Sequence, residues 1–215
     1  MTDQIDEGGD ALGIGDLNQV LDEAFDAPDR GAEHARWHSV INQSTDSPAP
    51  VTLLGFASDE GVLRNGGRQG AAAGPAALRS ALGSLAVHHE HALADAGTIT
   101  TQADDLDGSH DALSDKVQEL VEAGTLPIIL GGGHETAFGS HRGLYRAVGA
   151  TKIINLDAHF DLRRADHATS GTPFKQIAGL VGEDFDYSVF GISKPNNTKV
   201  LFDTADELGV RELGL

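Results

Sequence analysis

Thr151-Lys152-Ile153-Ile154-Asn155-Leu156-Asp157-Ala158-His159-Phe160-Asp161 opens as a short apolar run and closes as a cluster of metal-ligand side chains. The run TKIINLD (151–157) has the length and β-branched content of a strand rather than a helix. In an extended chain, side chains at alternate positions point the same way, so Asp157, His159 and Asp161 are expected to converge where that strand ends. Two carboxylates and one imidazole within five residues make a dense site for a divalent cation. Imidazole with carboxylate suits manganese, iron or zinc, and the weighting toward oxygen favours manganese. A bridging carboxylate, most simply Asp157, could hold two ions about 3.5 to 4 Å apart. Capping would account for any one of these residues, but it does not account for all three at alternate positions.

The same pattern recurs upstream. LPIIL (126–130) is a strand followed by Gly131-Gly132-Gly133-His134-Glu135, in which three glycines allow a sharp turn and close backbone approach. No Lys-Ser/Thr follows them, so a phosphate-binding P-loop is a poor reading. Further out, VTLLGF from Val51 reads as a buried strand, and Pro75 as the first-turn proline of a helix through AALRSALGSLAV. Gly97 to Thr101 is a second strand, and Ser109 caps a helix to about Ala123 that aligns Leu113, Val117, Leu120 and Val121. A helix then runs to Val148, Tyr187 to Phe190 form a further strand, and Thr198 to Leu208 a last helix. Alternating helices and apolar strands predict an α/β fold, three-layer α/β/α with a mostly parallel sheet. In such sheets ligands bind beyond the carboxyl ends of strands, which is where both motifs lie.

Residues 1–50 read as an acidic N-terminal arm with one short helix at Leu17 to Phe25, and residues 51–215 as the domain. The 33 acidic residues against 15 basic give a net charge of −18, which argues against nucleic acid as a partner. No apolar run is long enough for a membrane span, and the N-terminus lacks a signal pattern, so a cytoplasmic location is expected. Only five of the 15 basic residues are Lys, a composition suited to a high-salt cytoplasm. With no cysteine there are neither disulfides nor thiolate ligands. His88, His89 and His91 read as a solvated cluster, His141 as a helix residue, and Trp37 and Tyr145 as packing residues.

GGGHE followed by NLDAHFDLR resembles the first two metal motifs of the ureohydrolase (arginase-like) family, which includes arginases, agmatinases and formimidoylglutamases. The likeness runs from about Val51 to the C-terminus. It implies that His134 and Asp161 bind one manganese, His159 a second, and Asp157 both. At Ser170-Gly171-Thr172-Pro173-Phe174, arginases and agmatinases carry His-Gly-x-Pro, whereas this chain resembles the formimidoylglutamase branch in its serine. The run Asn65-Gly66-Gly67-Arg68-Gln69-Gly70 through Gly74-Pro75 resembles that branch as well.

The resemblance implies hydrolysis of N-formimidoyl-L-glutamate to glutamate and formamide, a step in histidine breakdown. A water acidified between two manganese ions would attack the formimidoyl carbon, and Asp161 would relay its proton to the leaving amine. Asp161 and Ser170 are therefore the expected catalytic positions, and Arg163 and Arg68 the expected receivers of the substrate's carboxylates. Relatives of this kind form symmetric homo-oligomers. The family closes its site with a later strand-end Asp-x-Asp followed by Asp-Pro, and the sequence reaches Leu215 without it; Asp203 and Asp206 are spaced for a helix. An inactive remnant and a guanidine hydrolase of the agmatinase type are the alternative readings, and a mononuclear metal deacylase is a weaker one.

Overall fold

The computed structural model describes residues 34–42, 49–88 and 92–214; the helix expected at Leu17 to Phe25, and His89 and His91, lie outside them. The element order is α1 (Trp37–Val40), β1 (Val51–Ala57), α2 (Glu60–Arg64), α3 (Gly74–Gly83), β2 (Leu93–Thr100), α4 (Leu106–Glu122) and β3 (Leu126–Leu130). There follow α5 (Thr136–Val148), β4 (Ile153–Leu156), α6 (Pro173–Val181), β5 (Tyr187–Ile192), α7 (Lys199–Glu207) and β6 (Arg211–Gly214).

Among the described residues the six strands pair only in parallel, as alternating strands and helices require, and form two groups in the orders β2-β1-β3 and β4-β5-β6. Each group has its own core. Leu54, Phe56, Leu106, Leu113 and Val117 fill one; Phe160, Leu162, Phe174, Ile177, Tyr187 and Val189 fill the other. Within the expected arm, Ile41 is buried against Leu53 and Leu93, and Asn42 bridges to Ala94, so this part lies on the outer edge of β2.

β3 and β4, although apolar in sequence, are not buried as a central parallel strand would be. Leu126, Ile154 and Leu156 are 62, 71 and 80% exposed. Both strands are inner edges, and a cleft of about 420 Å³ lies between them, lined by Leu126, Ile129, His134, Ile153, Ile154 and Phe174 among others.

Two local expectations shift. Asp105, not Ser109, caps α4 by accepting from Gly108 N at 2.9 Å. β2 begins at Leu93 because Asp95, a poor strand residue in isolation, is neutralised from afar. Arg79 on α3, itself 0% exposed, donates to both Asp95 oxygens at 2.7 and 2.8 Å and to Thr98 and Gly97. Gly55 makes room for that guanidinium: a Cβ there would lie 2.4 Å from Thr98 Oγ1 and 2.9 Å from Arg79 Nη1.

His110 on α4 is sealed between Phe56 and Phe138. Burial holds its pKa down from 6.5 to about 4. Between those values the unfolded chain binds a proton that the folded chain does not, so stability falls as pH drops through that window. Wild type is expected to lose about 3 kcal/mol from this residue between pH 7 and pH 4. Urea titrations of wild type and His110→Phe across that range would measure it, and the variant's pH slope should be shallower by that amount.

Candidate metal centre

The two strand ends that face each other across the cleft carry the two sequence motifs. The turn after β3 places His134 with its Nδ1 2.6 Å from an oxygen of Asp161 and 3.3 Å from Oδ2 of Asp157. One ligand atom from each of His134, Asp157 and Asp161 lies within 4.8 Å of the others, a spacing that one divalent ion can span. Burial opposes the imidazolium, yet the hydrogen bond and charge of Asp161, with Asp157 and Glu135, outweigh it and hold the His134 pKa above its ordinary value. The carboxylates create a strongly negative pocket, the field that a bound cation would neutralise.

His159 does not join this group. Alternation ends with β4 at Leu156, because Asp157 Oδ1 accepts from His159 N at 2.8 Å and curls the chain out of extended geometry. The His159 side chain is 52% exposed, its Nδ1 3.3 Å from Asp157 Oδ1. Asp157 thus shows one oxygen to His134 and the other to His159. Asp161 reaches the cluster by a different route from the expected alternation: its φ of +49° lies in the left-handed region, which Asp tolerates better than most residues.

Residues distant in sequence hold this turn in shape. Asn197 accepts from Phe160 N at 3.1 Å and donates to Ala158 O at 2.8 Å. Tyr187 accepts from Asn155 at 3.0 Å and donates to Phe160 O at 3.2 Å, and burial pushes its hydroxyl pKa well up. Neither residue was singled out from sequence. A Pro-Asn-Asn run and a lone strand tyrosine carry no chemical signal until the fold joins them to the turn.

The Ser170–Phe174 segment folds against the same site. Phe174 meets the His134 ring edge-on at 5.5 Å, and Ser170 N donates to Gly61 O at 2.9 Å. Arg163 N donates to Gly171 O at 3.0 Å, and its Nη1 donates to Asn65 Oδ1 at 2.9 Å. The guanidinium is therefore anchored at one end of the loop that carries Arg68, which itself stays exposed. Sequence reading missed Asn65 as that anchor.

Within the triple glycine, space requires Gly132 most strictly. A Cβ on Gly132 would lie 2.5 Å from Ser58 O and 2.9 Å from Phe56 O, backbone atoms that cannot swing away. Gly132→Ala is expected to cost about 1–3 kcal/mol and to weaken metal binding, readable together by urea unfolding and calorimetric manganese titration.

With the fold and cluster in place, comparison with known proteins gives the class. The arginase family matches residues 49–213, and the chain belongs to that family. Within it, the chain is 55% identical over 181 residues to the formimidoylglutamase of Corynebacterium efficiens, covering 82% of this chain and 57% of that protein. It is 55% identical over 184 residues to the formimidoylglutamase of Citrobacter koseri, covering 81% and 59%. The crystal structure of Trypanosoma cruzi formiminoglutamase with Mn2+ superimposes with a TM-score of 0.77 at 30% identity, over 85% of this chain and 65% of that one. The chain thus spans under two thirds of the length of these relatives.

Proposed function

We propose that this chain carries the metal-binding part of a manganese-dependent hydrolase that converts N-formimidoyl-L-glutamate and water to L-glutamate and formamide. The observation that carries the reading is the meeting of His134, Asp157 and Asp161 beneath the Ser170–Phe174 segment. The likeness to formimidoylglutamases, and the serine where guanidine hydrolases carry histidine, support this substrate over agmatine or arginine.

The donor set fits manganese: one neutral imidazole nitrogen with carboxylate oxygens. In this reading His134, Asp157 and Asp161 would hold manganese, with His159, beside Asp157, as a further ligand toward a second ion. Bound manganese would supply the Lewis acidity that makes water nucleophilic near neutral pH. As the bond between the formimidoyl carbon and the glutamate nitrogen breaks, Asp161 passes the proton taken from water to that nitrogen. Arg163, steadied by Asn65, receives a substrate carboxylate, with Arg68 as a second cation at the loop; Ser170 stands where the formimidoyl group differs from a guanidine. Phe174 packs edge-on against the His134 ring and helps fix its orientation. The acidic, lysine-poor composition supports a high-salt cytoplasm as the setting, and small molecules rather than nucleic acid as partners. Symmetric homo-oligomers are the assembly expected of such a protein.

Two observations favour a second reading, that these residues bind metal without turnover. The edges of β3 and β4 face a cleft, and among the described residues the cluster brings only three ligand residues together where two ions need more.

The deciding experiment is release of glutamate and formamide by the manganese-loaded chain in molar salt. Manganese-dependent release supports the first reading. A folded, metal-binding chain with no release supports the second, and release of urea from agmatine instead would refute the substrate assignment.

A further inference from the structure

Glu135, the last residue of GGGHE, neither binds metal nor meets substrate in the reading above, yet it is 0% exposed. Its carboxyl group fills a slot between two glycines. A Cβ on Gly61 would lie 2.3 Å from its Cδ, and one on Gly133 would lie 2.0 Å from its Oε2. Oε1 accepts from Gly61 N at 3.0 Å, and the Ser58 hydroxyl lies beside the same carboxyl group. A buried carboxyl group is costly unless hydrogen bonds hold it, so its contact with Gly61 N is not one the fold can drop cheaply.

Gly61 is where three substrate-side pieces meet. Its carbonyl accepts from Ser170 N, it lies in the first turn of α2, and Asn65, which caps the C-terminal end of α2, accepts from Arg163 through its side chain. Glu135 itself is covalently next to His134, so a single side chain ties the metal-side turn to Ser170, Asn65 and Arg163.

We propose that Glu135 is a positioning residue: through Gly61 it sets the Ser170 loop and the Asn65–Arg163 pair relative to the metal cluster, and so controls substrate affinity apart from metal affinity. The proposal rests on the reading of Arg163 and Ser170 as the substrate side.

The test compares wild type, Glu135→Gln and Glu135→Ala in the 215-residue chain by amide hydrogen exchange, manganese titration and L-glutamate titration of the manganese-loaded protein. Gln keeps an oxygen for Gly61 N and should behave as wild type in all three. In Glu135→Ala, exchange at Gly61 and Ser170 should rise about tenfold and glutamate affinity fall about tenfold, the worth of one lost buried hydrogen bond. Manganese affinity should stay within about threefold. If Ala prevents folding, Glu135→Asp, one methylene short of Gly61, should show the same split. Unchanged exchange, or manganese and glutamate affinities falling by the same factor, overturns the proposal. Should wild type bind no glutamate, the substrate reading fails, and the exchange rates still decide whether Glu135 holds Gly61 and Ser170.

Discussion

Asp161→Asn is expected to lower manganese affinity by about 100-fold or more, with little change in folding. Asn accepts the left-handed backbone that position 161 requires, at φ +49°, so this substitution removes charge without adding strain. Asp161→Ala would confound the two. Asp161 approaches His134 more closely than any other acid of the cluster, at 2.6 Å, so its loss removes a ligand and frees the imidazole together. Asp157→Asn should be at least as damaging, because that side chain faces both His134 and His159. Calorimetric titration with manganese, alongside thermal unfolding of each variant, reads both effects. An Asp161→Asn protein that binds manganese as wild type does would remove this residue from the centre.

Asp95→Ala is expected to cost about 3–5 kcal/mol, because it leaves the Arg79 guanidinium buried without its counter-charge. That is a large share of the roughly 5–15 kcal/mol available to a domain, so the variant should be close to unfolding at ambient temperature. Asp95→Asn, which keeps one acceptor, should cost less. Arg79→Met combined with Asp95→Leu should recover much of the loss, since it removes both charges and leaves apolar groups of similar volume. Urea unfolding of the three proteins distinguishes a buried charge left alone from a packing defect: only the former is repaired by deleting the partner.

The parts of the site legible in sequence are those written locally. GGGHE and DAHFD hold their ligand residues within a few positions of one another, and each directly follows an apolar strand. The alternation of strands and helices likewise placed both motifs at one end of parallel strands. What escaped reading depends on distant partners. Asp95 sits inside a strand only because Arg79, on another element, neutralises it. His159 leaves the cluster because one backbone hydrogen bond to Asp157 ends the extended geometry that its spacing implied. Asn65, Tyr187 and Asn197 matter through contacts with residues 27 to 98 positions away, which no local pattern records. The apolar runs of β3 and β4 read as buried because sequence records their hydrophobicity and not whether a neighbouring strand lies beside them.

The account turns on a metal held between the ends of β3 and β4. Anomalous scattering at the manganese edge, from crystals of this chain grown with manganese, tests that most directly. The account predicts a peak bonded to Nδ1 of His134 and to carboxylate oxygens of Asp157 and Asp161. A well-ordered, manganese-saturated crystal with no peak there, or with peaks only at other surface acids, would contradict it.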